Sequence, residues 1–196
     1  MTAVTAFYPL LPYSKTANES KVAFQKEVMT MDIPQKLRKF LRKNKVYFQV
    51  VLHPKAFTSP ETAHAGHIPG KALVRAVIVD VGGTDVMAVL PSNRTVDLLK
   101  LSTALGTDNI RIEEEQEFKD LFGDCETGAI PPFGPLYHMP CYVDQSLMEN
   151  ESVYFNAGSH EECIQISTED FLRVLKGVVR DFSVEGKKIH EKKIAI

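Results

Sequence analysis

Apolar residues along the chain change period several times, and each change marks an element. In IPQKLRKFLRKNK (33–45), Leu37, Phe40 and Leu41 recur at helical spacing among basic residues. Pro34 suits the start of that helix. VYFQVVLH (46–53) reads as a strand. TSPETAHAGH (58–67) reads as a short helix, with Ser59 as N-cap and Pro60 in the first position. Two β-branched runs, KALVRAVIVDV (71–81) and DVMAVLP (85–91), flank GGT and predict a hairpin. TVDLLKLSTALG (95–106) and EEEQEFKDLFG (113–123) read as helices closed by Gly106 and Gly123. Strands are expected at HMPCYVD (138–144), SVYFNAG (152–158) and ECIQIS (162–167), and a last helix at TEDFLRVLKGVV (168–179) with Thr168 as N-cap. Residues 1–31 hold no sustained period and read as an extension; 181–196 read as a charged tail. The domain between them, 32–180, mixes hairpins with helical excursions. That order predicts a mixed α/β (α+β) fold: a mixed, largely antiparallel β-sheet wrapped by helices, not a doubly wound parallel one.

Composition narrows the function classes. The chain has 196 residues, 44% apolar and 24% charged, as expected for one globular domain with appendages. Net charge is −2, so nucleic-acid contact needs a local patch, not a global basic excess. The helix at 33–45 offers one in Lys36, Arg38, Lys39, Arg42, Lys43 and Lys45, which read either as a solvated face or as phosphate contacts. No apolar run is long enough to span a bilayer, and the first residues do not follow a signal-peptide pattern. Three scattered cysteines without a C-x-x-C suit reduced thiols in a cytoplasm.

The chemistry-bearing candidates are few. No nucleophile elbow, P-loop, dinucleotide fingerprint or H-E-x-x-H is present. His64 and His67 are three apart, yet no further ligand is near in sequence, so the expectation is no metal and no cofactor. His138 and Cys141 are also three apart and could form a thiol–imidazole pair, but strand alternation points them to opposite faces. Lys71 stands at the mouth of a long buried strand, where pockets form. GAIPPFG (128–134) is stiffer than a turn requires: two prolines fix φ, and glycines open and close it. Such a loop suits a pocket wall whose backbone groups must be held in place.

Six blocks, in order and spacing, resemble a known family: HPKAFTSPETAHA (53–65), GKALVRAVIV (70–79), VMAVLPSNRTVDLLKLSTALG (86–106), GAIPPFG, YVD (142–144) and VYFNAGS (153–159). They are similar to the YbaK family, the editing domain associated with prolyl-tRNA synthetase, over roughly residues 33–178. The resemblance implies a mixed sheet wrapped by helices and the activity of an aminoacyl-tRNA deacylase acting in trans on a small mischarged amino acid of the Ala, Ser or Cys class. The implied partners are the aminoacyl-tRNA 3′ end, with tRNA-Pro expected, and prolyl-tRNA synthetase; no membrane, cofactor or metal is implied. In this family a lysine orients the tRNA end, a G-x-x-x-P loop fixes the aminoacyl group, and the substrate ribose hydroxyl helps to activate water. By that match Lys71 and Gly128 are the catalytic candidates. Ala129, Ile130, Pro131 and Pro132 form the substrate loop. His53, Asn156, Gly158 and Ser159 are the remaining pocket candidates, and Lys39 and Lys43 are expected to touch RNA. The competing expectation is a module of the same fold that binds tRNA or an aminoacyl ligand without turnover.

Overall fold

A computed structural model describes residues 33–186 of the chain; the extension expected at 1–31 and the last ten residues lie outside them. The elements in order are α1 (Gln35–Lys43), β1 (Gln49–Leu52), α2 (Ser59–Ala65), β2 (Val74–Val81), β3 (Asp85–Pro91), β4 (Arg94–Val96), α3 (Leu98–Leu105), β5 (Ile110–Ile112) and α4 (Glu115–Phe118). They continue as β6 (Cys141–Asp144), β7 (Ser152–Asn156), β8 (Glu162–Ser167), α5 (Thr168–Leu175), β9 (Val178–Arg180) and β10 (Ser183–Glu185), with 3-10 turns at Lys119–Phe122, Gly134–Leu136 and Gln145–Glu149.

The strands form three sheets, ordered β5-β2-β3-β6-β9, β1-β8-β7 and β10-β4. Only β3–β6 and β6–β9 run parallel, so the mixed, largely antiparallel architecture expected from sequence is present. β2 explains its own long apolar run, broken only at Arg75 and Asp80. Val74 and Ile78 face one core, while Val77, Val79 and Val81 face the other. Both faces of the strand are covered, which removes the reason for polar alternation. Its neighbour repeats the division, with Met87 and Val89 on one side and Ala88 and Leu90 on the other.

The larger core is organised around Phe133, the sixth residue of the stiff loop. Its fully buried ring stands 5.3 Å from Phe40 of α1, 5.0 Å from Phe155 of β7 and 5.4 Å from Phe171 of α5. Gly134 follows because nothing larger fits: a Cβ there would collide with Cys141 Sγ and meet Met139 O at 2.6 Å. The loop is therefore anchored at its C-terminal end inside the core.

Several elements differ from expectation. The last helix ends at Leu175, where Lys176 turns left-handed, and Val178–Arg180 becomes β9 beside β6. Ser167, not Thr168, caps that helix, and Thr58, not Ser59, caps α2 through a capping box with Glu61. The helix expected at 113–123 shrinks to α4 and a 3-10 turn, and Thr95 and Val96 belong to β4 rather than α3. Phe182 is fully buried and β10 pairs with β4, so the folded body extends past residue 180. Asp144, at the end of β6, ties this region down. Its buried carboxylate accepts from Ser146 and from the Phe182 N–H at 3.1 Å and faces Arg94 at 3.9 Å. Among the described residues no helix is long and apolar enough to cross a membrane.

Candidate active site

The edge of β2 meets the N-terminal half of the stiff loop, and a pocket opens between them. Its volume is about 100 Å³, comparable with three waters at liquid density. Leu73, Val74, Ala76, Phe118 and Ile130 supply an apolar wall; Gly128, Asn156, Ser59 and Glu115 supply backbone and polar groups.

The loop is built to keep its backbone still. Gly128 sits at φ +81°, a conformation that favours glycine. The N–H of Ala129 turns back to Glu126 O at 2.9 Å, and the two prolines carry no N–H. Among the described residues the Gly128 and Ile130 N–H groups have no backbone partner, and both residues line the pocket. The segment before them is laced to the β7–β8 turn. Glu126 N–H donates to Gly158 O at 2.8 Å, His160 N–H donates to Glu126 Oε2 at 2.8 Å, and His160 Nε2 is 2.8 Å from Thr127 O. The His160 N–H, with the Lys55 charge beside it, holds the Glu126 carboxyl below its usual range against the cost of desolvation.

Of the residues expected from sequence, the structure brings Gly128, Ile130 and Asn156 together at the pocket. Ala129, Pro131 and Pro132 are buried behind it as support. Lys71 is exposed in the turn before β2, which begins three residues later than expected. Its backbone is fixed: the carbonyl accepts from Asn150 Nδ2 at 3.1 Å, and Leu73, two residues on, lines the pocket. Gly158 faces away; its φ is +102°, and a Cβ there would strike Pro34 at 2.5 Å. Ser159 Oγ is buried without a hydrogen-bond partner among the described residues. His53 is buried behind Asn156, with Cys163 between them. Lys39 and Lys43 are exposed on α1, whose Leu37 and Leu41 are buried.

Two alternatives lose their geometry. His67 lies beyond the end of α2 at φ +52°, so it shares no helix face with His64. Cys141 is buried, accepts from the Gly134 N–H at 3.2 Å, and is pushed up to about 12 by that burial, whereas His138 is exposed. A thiol held protonated inside the core is no nucleophile.

Sequence reasoning missed the residues that fasten the site. Phe57 is 66% exposed, packs 4.9 Å from the His160 ring and stands two residues before Ser59 on the pocket wall. Lys55 Nζ lies 5.5 Å from the centroid of the Phe57 ring and pairs with Glu126 at 3.6 Å. The signal was present in HPKAF and GSH, but no spacing rule links residues more than thirty positions apart.

The sequence profile of the aminoacyl-tRNA editing domain matches residues 53–174. The chain belongs to this family. A curated relative, the multifunctional Ser/Thr-tRNA deacylase ProXp-y of Escherichia coli K12, is 30% identical over 113 residues, which are 57% of this chain and 67% of that protein. Among solved structures, a protein put forward as a trans-editing enzyme for prolyl tRNA synthetase superposes with a TM-score of 0.67 at 20% identity, covering 77% of this chain and 96% of the other. The hypothetical protein APE2540 gives 0.68 at 20% identity, covering 76% and 100%. These two likenesses establish the fold of the editing domain.

Proposed function

We propose that this editing domain acts in trans as a deacylase, hydrolysing the ester between a small mischarged amino acid and the tRNA 3′ end, with tRNA-Pro as carrier. The observation that supports it is a pocket of about 100 Å³ walled by the stiff loop, whose Gly128 and Ile130 N–H groups have no backbone partner among the described residues. Water adds to the ester carbonyl, and the oxygen that gains charge needs donors placed beforehand. The Gly128 and Ile130 N–H groups are assigned that task. When the tetrahedral centre collapses, the bond to the ribose oxygen breaks. That oxygen leaves with a proton, and free amino acid and intact tRNA result.

The same reading assigns the other roles. Lys71 holds the terminal phosphate or ribose at the rim. Exposed Phe57, backed by His160, gives the unpaired terminal base a stacking face. Glu115, exposed at the rim, takes the substrate ammonium. Lys39 and Lys43 steer the acceptor stem through phosphates. Reduced, buried thiols suit a cytoplasmic setting. The size of the pocket is a sieve: each methylene too many costs about 1–3 kcal/mol.

The test is single-turnover hydrolysis of one tRNA charged in turn with alanine, serine, threonine, cysteine and proline. Small esters should be cleaved and prolyl ester spared, before and after iodoacetamide. Binding of charged tRNA with no hydrolysis of any ester would favour the non-catalytic module instead.

A further inference from the structure

Behind one wall of the pocket runs a buried chain of polar groups. Asn156 and Cys163 face each other across β7 and β8, and the amide is placed with its oxygen 3.3 Å from Cys163 Sγ, where it competes with His53 for the one thiol proton. On its other side the sulfur is 3.4 Å from His53 Nε2, and His53 Nδ1 is 2.9 Å from Pro54 O. Cys163 is fully buried and His53 is 6% exposed, so these groups must satisfy one another.

Counting protons decides how the chain runs. The Pro54 carbonyl can only accept, so in the neutral ring Nδ1 carries the proton and Nε2 is bare. The Cys163 thiol is the donor within reach of Nε2, and burial, which pushes that thiol up to about 12, keeps its single proton in place. Once the proton points at Nε2, the sulfur has only lone pairs for Asn156. An amide oxygen against lone pairs is repelled, whereas the amide nitrogen donates. The two ends of a carboxamide exchange by a half-turn, and the surrounding network fixes which end goes where. Glu115 at the rim is the stronger partner for the charged ammonium, which leaves Asn156 for a neutral donor.

We infer that His53 and Cys163 turn the Asn156 Nδ2 toward the sulfur and present its Oδ1 to the pocket as acceptor for a substrate side-chain hydroxyl. This rests on the deacylase reading and gives it a substrate class: esters of small hydroxyl-bearing amino acids, preferred over alanine. Neither His53 nor Cys163 touches substrate; both are positioning residues. Ser59 is the other neutral polar side chain on the wall and serves as the comparison.

The experiment measures single-turnover hydrolysis of seryl and alanyl esters on one tRNA. Wild type should prefer serine by roughly 10- to 100-fold, the cost of leaving the Asn156 acceptor unpaired once bound substrate has shut out water. Cys163→Ala should erase most of that ratio. Cys163→Ser should restore it, since a hydroxyl can also donate to Nε2 and accept from Nδ2. A ratio near one in wild type, an unchanged ratio in Cys163→Ala, or collapse in Ser59→Ala alone would overturn the inference. If neither ester is cleaved, the deacylase reading has failed, and imidazole ¹⁵N shifts still test the relay. With the His53 signal assigned by its loss in His53→Gln, a neutral ring protonated at Nδ1 is expected. Protonation at Nε2 would refute the relay.

Discussion

Replacing Phe133 with alanine removes the anchor of the loop, and the cost can be worked from its surroundings. The ring is fully buried, so burial alone is worth about 1.5–3 kcal/mol. It contacts Phe40, Phe155 and Phe171 at centroid separations of 5.0–5.4 Å. Such aromatic pairs add about 0.5–1.5 kcal/mol each. These contributions overlap, and measured Phe→Ala losses in cores fall at about 3–5 kcal/mol. The upper half of that range is expected, because three elements converge on one ring. At about 2–4 °C per kcal/mol for a chain of this size, the melting temperature should drop by roughly 8–20 °C. Phe133→Leu should lose less than half as much. Urea unfolding monitored by circular dichroism gives the same energy if the midpoint falls and the slope holds. At a temperature where the variant is still folded, the ratio of alanyl to prolyl ester hydrolysis should shrink, because Ile130 is three residues from the lost anchor. A midpoint equivalent to under about 1 kcal/mol would refute the claim that the core holds the loop.

Three further outcomes are expected. Lys71→Ala should leave the melt within about 0.5 kcal/mol and cut single-turnover hydrolysis by roughly 100-fold, with incomplete rescue by arginine; wild-type turnover would remove Lys71 from the site. Reversing charge at both Lys39 and Lys43 should raise the KM for tRNA, leave kcat nearly intact and lower the salt slope by about 2; an unmoved slope would make the helix face merely solvated. The third concerns Asp144, which burial pushes up but which hydrogen bonds from Ser146, Phe182 and Ser183 bring net below the usual carboxylate value. Its stabilising contribution is present above the unfolded-state value of about 3.9 and is lost as pH falls through the lower folded value. Asp144→Asn should therefore flatten the acid limb of the stability profile, and an identical limb in the variant would contradict this.

What could be read from sequence followed from local rules. The hairpin at 71–91, α1 and the stiff loop each carry their own period or punctuation, and six ordered blocks were enough to suggest the family. The short strands β4, β5, β9 and β10 carry no period, since three residues cannot show one. Their placement depends on partners far along the chain, as with Ser183 beside Val96. The candidate site was legible only where its residues lie in the stiff loop and in β7. Gly128, Ile130 and Asn156 line one pocket, whereas Gly158 packs against Pro34 and Ala129 closes a turn. Which face a glycine presents depends on tertiary neighbours, here Pro34 for Gly158. The links from His160 to Thr127 and from Cys163 to His53 span 33 and 110 positions, beyond any local pattern.

The central claim is that the ester is cleaved in the pocket between β2 and the loop. Ala76→Leu tests it most directly, because Ala76 lines that pocket and three added carbons fill roughly the room of three waters. Single-turnover hydrolysis of seryl-tRNA, measured beside tRNA binding and a thermal melt, should fall at least 100-fold, with binding and melt close to wild type. Full hydrolysis by a folded Ala76→Leu protein would place the chemistry elsewhere and contradict the account.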